Sequence, residues 1–401
     1  MRMLIALATA ALLTSGAAPQ DSARVVVHEW GTFTSVSGGD GASLEWRPLS
    51  GPSDLPSFVY TATGAPKGLR HGAPCAGCGH VHCNCQAASC NGKECCRGCK
   101  GCEVASVRME TPVLYFYSDR ETTLSVKVDF PKGKITEWYP RARQVGKGID
   151  WGGVKVLPGA KVELPNEVGD SHYYPARETD ANPVRVCGAN TEHEKFLFYR
   201  GVGTFDLPLR VTLAGDKVTV RNVGKDPIAQ VVLFENRGGK VGYGIHCGLT
   251  DEVSLERPDA SHGVGDLMGD LAKILTTQGL YEREAKAMIK TWRDSWFEPG
   301  LRVFYVVPRR ATDVILPITI EPKPENLVRV LVGRAEILTP EMETAIAAQA
   351  AKLGEDSIEA REAAMAALRK YGRFAEPTLR KVLAATEDPE VRMRIRNLIG
   401  G

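Results

Sequence analysis

With 401 residues, 43% of them hydrophobic and 24% charged, the chain has the length for two or three domains and the apolar content for a sizeable core. Fifty basic residues against forty-eight acidic ones leave a formal charge of +2. No field of that size recruits nucleic acid or an anionic membrane surface, so neither partner is expected.

The chain begins MRMLIALATAALLTSGAAPQ, with Arg2 ahead of an apolar run from Met3 to Leu13 and the small residues Ser15, Gly16, Ala17 and Ala18. This is the pattern of a secretory signal peptide over 1–18, and the apolar run is too short to span a bilayer. The expectation is an exported protein, periplasmic or extracellular, with no membrane insertion after cleavage. Residues 24–34 (RVVVHEWGTFT) are β-branched enough for a strand, closed by a Gly/Ser/Asp turn at 37–41. HEWGT lacks the second histidine of a zinc-protease helix, so His28 reads as a structural histidine.

Residues 44–70 read as a loop that leads into CAGCGHVHCNCQAASCNGKECCRGCKGC, nine of the eleven cysteines in twenty-eight residues. With Val81 its one sizeable aliphatic, this insert (71–103) buries too little surface to offset the entropy of ordering its backbone, so cross-links or metal must hold it. Thiolates bind Zn2+ or Cu+, and C-x2-C and C-x-C loops bring two sulfurs to one ion. The candidate ligands are Cys75, Cys78, His80, His82, Cys83, Cys85, Cys90, Cys95, Cys96, Cys99 and Cys102. A disulfide knot is the alternative that export favours, but nine is odd, and one sulfur stays unpaired unless Cys187 or Cys247 is recruited. A bond between Cys187 and Cys247 is the other use for those two, and spacing alone cannot test its geometry.

Beyond the insert, 106–117 and 122–130 are strong strands joined by Ser118-Asp119-Arg120-Glu121, which reads as a hairpin. Further strand-like runs fall at 134–138, 154–157, 161–164, 195–199, 209–213, 217–223 and 228–235, with turn residues between them. Such punctuation predicts antiparallel sandwich sheets. Apolar residues at helical spacing then predict helices over 264–276 and 281–296, and strands resume at 302–307, 313–320 and 328–332. From Thr339 onward the pattern is all helical. Thr339-Pro340 caps the first helix, Asp356 with Glu359 forms a capping box and Asp388-Pro389 opens the last helix.

The expected fold is mainly β with α: an antiparallel β-sandwich body over 19–250 that carries the insert, a short helical insertion with a second β region over 251–338, and a small all-α module over 339–401. No G-x-S-x-G, P-loop, G-x-G-x-x-G after a strand, or H-E-x-x-H occurs. What remains is a set of polar residues within or beside apolar runs: His28, Glu29, Glu110, His193, Glu194, Arg200, Glu235, Arg293, Asp294, Glu298, Arg334 and Glu336. Paired with one another they are buried ion pairs. Converging in one cleft, Glu29, Glu110, Glu194, Glu235 and Glu298 would instead supply carboxylates for hydrolysis of polysaccharide or peptide. Trp292, Trp296 and Phe297 suit either a binding groove or the core, and His172, Tyr173 and Tyr174 either ligand contacts or a solvated loop.

Three resemblances add expectations. The C-x-C, C-C and C-x2-C groups resemble a metallothionein domain, a family whose smaller domain clusters divalent ions on nine cysteines, although His80 and His82 depart from it. The segment SIEAREAAMAALRKYGRFAEPTLRKVLAATEDPEVRMRIRNLI resembles HEAT-like repeats, which implies docking on the body or on a protein partner through 339–401. HEWGTF, METPVLYFY, TEWYP, EKFLFYRGVG, SWFEPG and VGR-x-E-x-LTP are similar to a group of exported bacterial proteins over residues 25–345. That likeness implies export and carries no catalytic residue. The combined expectation is an exported, non-enzymatic binding protein.

Overall fold

A computed structural model describes residues 23–49, 55–62, 104–169, 171–188, 191–259, 261 and 263–399. In chain order the strands are β1 (Val25–Gly38), β2 (Ser43–Leu44), β3 (Tyr60–Thr61), β4 (Val107–Ser118), β5 (Thr122–Asp129), β6 (Gly133–Tyr139), β7 (Gln144–Val145), β8 (Gly148–Val156), β9 (Val184–Cys187), β10 (Thr191–Glu194), β11 (Leu197–Gly203), β12 (Leu209–Ala214), β13 (Lys217–Asn222), β14 (Ile228–Arg237), β15 (Lys240–Leu249), β16 (Glu252–Glu256), β17 (Gly300–Val306), β18 (Ile318–Glu321) and β19 (Asn326–Leu338). The helices are α1 (Val264–Thr277), α2 (Glu282–Trp296), α3 (Arg309–Ile315), α4 (Pro340–Ala351), α5 (Ile358–Lys370), α6 (Ala375–Ala385) and α7 (Pro389–Ile399).

The fold is mainly β with helices, as the strand-rich sequence implies. A ten-stranded sheet runs β15-β14-β17-β19-β1-β4-β11-β6-β3 with β2 on β1, a six-stranded sheet runs β10-β9-β8-β5-β18 with β7 on β8, and β12-β13-β16 form a third. One ladder departs from the antiparallel expectation: β1 and β19 run parallel from Val26↔Asn326 to Gly38↔Leu338, so the large sheet is mixed. Both strands are buried along most of their length, as parallel strands at a sheet's centre require. The large and six-stranded sheets meet through Trp151 on Tyr199, while Phe205 stands against Phe33 and Phe130.

Several local expectations are corrected. Residues 118–121 do not close a hairpin: β4 pairs with β1 and β11, whereas β5 pairs with β8 and β18. The reason is legible in periodicity, because β4 is buried on both faces while β5 alternates buried Leu124, Val126 and Val128 with more exposed neighbours. The run 313–320 splits into α3 and β18. Pro308 starts the helix, Arg309 pairs with Asp313 one turn on at 2.8 Å, and Pro317 stops it. The run 161–164, bounded by Pro165, joins no ladder among the described residues. A boundary at 250/251 does not divide two sheets, since β17 and β19 lie in the same sheet as β1 and β4. The helix expected to start at Asp356 is capped by Ser357, whose hydroxyl accepts from the Ala360 amide at 3.2 Å.

Strand alternation places His28, Thr32, Thr34 and Val36 on one face of the large sheet. Helix α2 covers the His28 end, with Trp296 fully buried on Phe304 at 5.3 Å between ring centroids. Helices α4–α7 cover the Val36 end and form a second small core with Val36, Trp46 and Leu338. Among the described residues no helix is long and apolar enough to cross a membrane.

Candidate functional site

The eleven expected metal ligands, Cys75, Cys78, His80, His82, Cys83, Cys85, Cys90, Cys95, Cys96, Cys99 and Cys102, lie outside the described residues. The chain that leads to and from them is anchored at the large sheet. Before them, Tyr60 pairs with Trp138 and Thr61 with Glu137. After them, Ala105 and Trp46 exchange backbone hydrogen bonds of 3.1 and 3.0 Å just before β4 begins. Cys187 and Cys247 are both free and exposed, so the bond considered between them is not formed. They sit on β9 and β15, which belong to different sheets. Among the described residues no group of three or more His, Cys, Asp and Glu could hold a metal ion.

Between the two helical layers, the covered face of the large sheet is polar. Thr32 lies opposite Glu110, and Thr34 lies opposite both Arg108 and Arg334. The Thr32 and Thr34 hydroxyls and the Glu110 Oε2 are buried with no hydrogen-bond partner among the described residues. Buried polar atoms without partners are uncommon, and three on adjacent strands mark a polar floor rather than a packing accident. Arg108, beside it, has its Nε at 3.4 Å from the Glu110 Oε1.

At the Val36 end this floor becomes an ion network. Glu336 is fully buried, with Arg302 Nε at 3.1 Å, Arg334 Nη2 at 2.5 Å and Arg373 Nη2 at 2.8 Å from its carboxylate. Burial alone would push the Glu336 carboxyl up, but the three guanidiniums outweigh it and hold the pKa down at about 2. Arg302 is pushed the other way, to about 10, by burial and by crowding from Arg334 and Arg373 despite its carboxylate partner. Both groups stay charged at neutral pH. Arg373 comes from the turn between α5 and α6, and it also bonds Glu298, so the helical module is tied ionically to the sheet.

Beside this network a cavity of about 620 Å³ opens between the sheet and the module, lined among others by Glu235, Arg257, Glu298, Tyr371, Arg373 and Phe374. Glu235 accepts from Arg257 Nη2 at 2.5 Å and Arg237 Nη2 at 2.9 Å. Burial raises its carboxyl, the two arginines more than reverse that, and its pKa falls below the usual carboxylate range. A carboxylate so held is a charge partner, not a proton donor.

The remaining polar residues resolve into separate pairs. His28 Nδ1 lies 2.7 Å from Glu284, which also accepts from the Tyr117 hydroxyl at 2.8 Å and from the Tyr281 amide at 2.7 Å at the start of α2. Glu29 bonds Arg329 at 2.5 Å and the Tyr199 hydroxyl. Glu194 sits in the grip of Arg177 at 2.6 Å and the Tyr173 hydroxyl at 3.0 Å, its pKa raised by burial against the pull of the arginine. Asp294 lies 2.8 Å from His172 and Arg200 packs over Phe198, while His193 pairs with Arg185 on the β9–β10 ladder and Arg293 is exposed near the end of α2. Of the five carboxylates that would have to converge, Glu235 and Glu298 share the cavity, Glu110 lies near Arg373, and Glu29 and Glu194 are held elsewhere. Trp292, Trp296 and Phe297 fill the core, and Tyr173 is buried rather than solvated. The arginines that complete these pairs, Arg177, Arg257, Arg302, Arg329 and Arg373, were not singled out above. Arg302 and Arg329 carried a signal, an arginine inside an apolar strand, as in LRVFYVV and LVRVLVG, whereas Arg177, Arg257 and Arg373 lie in turns or beyond a strand's end.

No protein-family model matches the chain, and no curated protein matches it.

Proposed function

We propose that the protein is an exported binding protein that captures a soft metal ion, Zn2+ or Cu+, on its cysteine-rich insert and docks a protein partner through its HEAT-like C-terminal helices. The observation that carries the reading is the donor set. Nine thiols and two imidazoles within 75–102 suit soft and borderline ions, and bridging thiolates obey no parity rule. Nine is an odd number, so complete disulfide pairing within 75–102 would strand one sulfur. The β body, which we read as a sandwich, serves as a rigid scaffold with both ends of the insert anchored. The helical module packs one side on the sheet and keeps Ile358 and Met393 exposed for a partner.

The test is a metal count joined to a free-thiol titration on protein purified without thiol-blocking agents. Bound zinc or copper that is lost when 75–102 is changed to serine at every cysteine supports the proposal. Intact disulfides with no bound metal overturn it.

A second reading, an exported hydrolase of polysaccharide or peptide, draws on Glu235 and Glu298 sharing one cavity. It requires a carboxyl held near neutral pKa, and Glu235 is displaced in the opposite direction. Loss of a measured hydrolysis in Glu298→Gln, with folding retained, would favour this reading over the first.

A further inference from the structure

The cysteine-rich insert and the helical module meet at one joint. Cys102, the last thiol of the insert, stands three residues before Ala105, and three residues of chain reach about 11 Å at most. Ala105 is buried and exchanges backbone hydrogen bonds in both directions with Trp46. Trp46 in turn is buried in the small core that joins Leu338 to Leu353, Leu379 and Ile399 of the module. The next residue is held by two of the module's helices. The Arg47 amide donates to Glu376 Oε2 at 2.8 Å, and the Arg47 guanidinium donates to the Ile399 carbonyl at 2.5 Å. Arg380 also binds Glu376, at 2.6 Å.

The upstream root of the insert is built differently. Thirteen residues separate Thr61 from Cys75. Thr61 pairs with Glu137 on β6, and the Tyr60 hydroxyl donates to Glu192 on β10 at 2.5 Å, so this root is fastened to the sheets. Order gained at Cys102 therefore reaches the module through a tether of three residues, while order gained at Cys75 is dissipated over thirteen.

We infer that metal loading of the insert and docking of the module are coupled through the Trp46–Ala105 bridge, each strengthening the other. The inference rests on the metal-binding reading above and adds its regulation: the module carries the metal state of the insert to whatever docks on it. The physical cause is conformational entropy. A metal on Cys99 and Cys102 fixes the chain that leads to Ala105, so less freedom is regained when the module lifts from Trp46, and lifting becomes less favourable. Linkage is reciprocal, so a lifted module weakens metal binding by the same factor.

The experiment is amide hydrogen exchange of the full chain, metal-free, with Zn2+ and, in a separate sample, with Cu+, alongside a count of bound metal. Bound metal is expected to slow exchange in α6 and α7 at least ~5-fold, the lower end of ordinary coupling between sites. Strands β14 and β15, at the sheet edge far from both roots, should exchange as before. Three glycines inserted after Glu103 double the tether without touching a thiol or the bridge, and should reduce the slowing roughly 3-fold with the metal still bound. Metal that binds while α6 and α7 exchange unchanged overturns the inference and leaves the metal-binding reading standing. So does slowing that is untouched by the longer tether. A chain that takes up neither metal overturns that reading, and the inference with it.

Discussion

The same sheet face is covered twice, and the two coverings are held differently. At the His28 end, α2 is laid down by large apolar side chains, Trp292 and Trp296 among them, with Glu284 bonded to His28 and to the Tyr117 hydroxyl. At the Val36 end, the module α4–α7 shares a smaller core with the sheet and is fastened by Glu336, Glu298 and Arg373 and by the Arg47 amide on Glu376 at 2.8 Å. The difference is one of shape. Helix α2 presents a wide apolar stripe, whereas the turn between α5 and α6 reaches the sheet with one arginine and Phe374. Where little apolar area is available, charge pairing specifies the dock, and its contribution depends on every partner remaining in place.

The largest effect is expected from deleting 339–401. That exposes Val36, Trp46 and Leu338 and strips Glu336 of Arg373, so the sheets should lose cooperative thermal unfolding and solubility. A truncated protein that melts like the full chain would show the module to be an optional attachment. Next come single changes at each dock. Trp296→Ala should cost about 3–5 kcal/mol as a core truncation. Glu336→Ala should cost about as much, roughly 3–5 kcal/mol, by leaving the buried Arg302 without its carboxylate partner. Urea unfolding measures both, and a Glu336→Ala cost near zero would remove the contrast between the docks. His28→Ala should be smaller, about 1–3 kcal/mol, because Glu284 keeps the Tyr117 hydroxyl and the Tyr281 amide.

The pH response should separate the docks as well. Glu336 has a folded pKa near 2 against an ordinary 4.5, and Glu235 is also displaced downward. A depressed carboxyl contributes stability that is present above its unfolded pKa and lost as pH falls through the folded one. Stability at the module dock should therefore decline from about pH 4.5 toward about 2, and Glu336→Gln should flatten that decline in melts followed across the range. The smallest effect is expected from replacing 71–103 with a short Gly/Ser linker, within about 1 kcal/mol by loop-closure entropy, while the proposed metal binding should disappear. A body that unfolds without the insert would show that it is not a separable graft.

Much of the fold was readable because burial imposes periodicity. The helices of 264–296, the Thr339 and Asp388 caps and most strands of the body follow from local pattern. Strand β15 escaped because its three glycines erase the alternation, although the ladder to β14 runs from Ile228↔Leu249 to Arg237↔Lys240. The 118–121 turn misled because turn residues say that the chain changes direction, not which sheet it enters next. For the candidate sites the limits were opposite. The cysteine cluster is wholly local and visible in sequence, while the Glu336 network joins residues from three distant segments, with Arg302, Arg334 and Glu336 showing as charges inside apolar strands and Arg373 in a helix-to-helix turn.

By itself the sequence determined the strand-rich class, the helical C-terminus and the soft-ligand chemistry of 75–102, since each depends on residues close in the chain. Tertiary structure decided that β1 and β19 pair in parallel across some three hundred residues, that Arg373 closes on Glu336, that Glu235 and Glu298 share a cavity, and that β15 is left as an open edge. These depend on which distant strands share a sheet and which side chains meet across it. Local propensity and spacing carry no record of that.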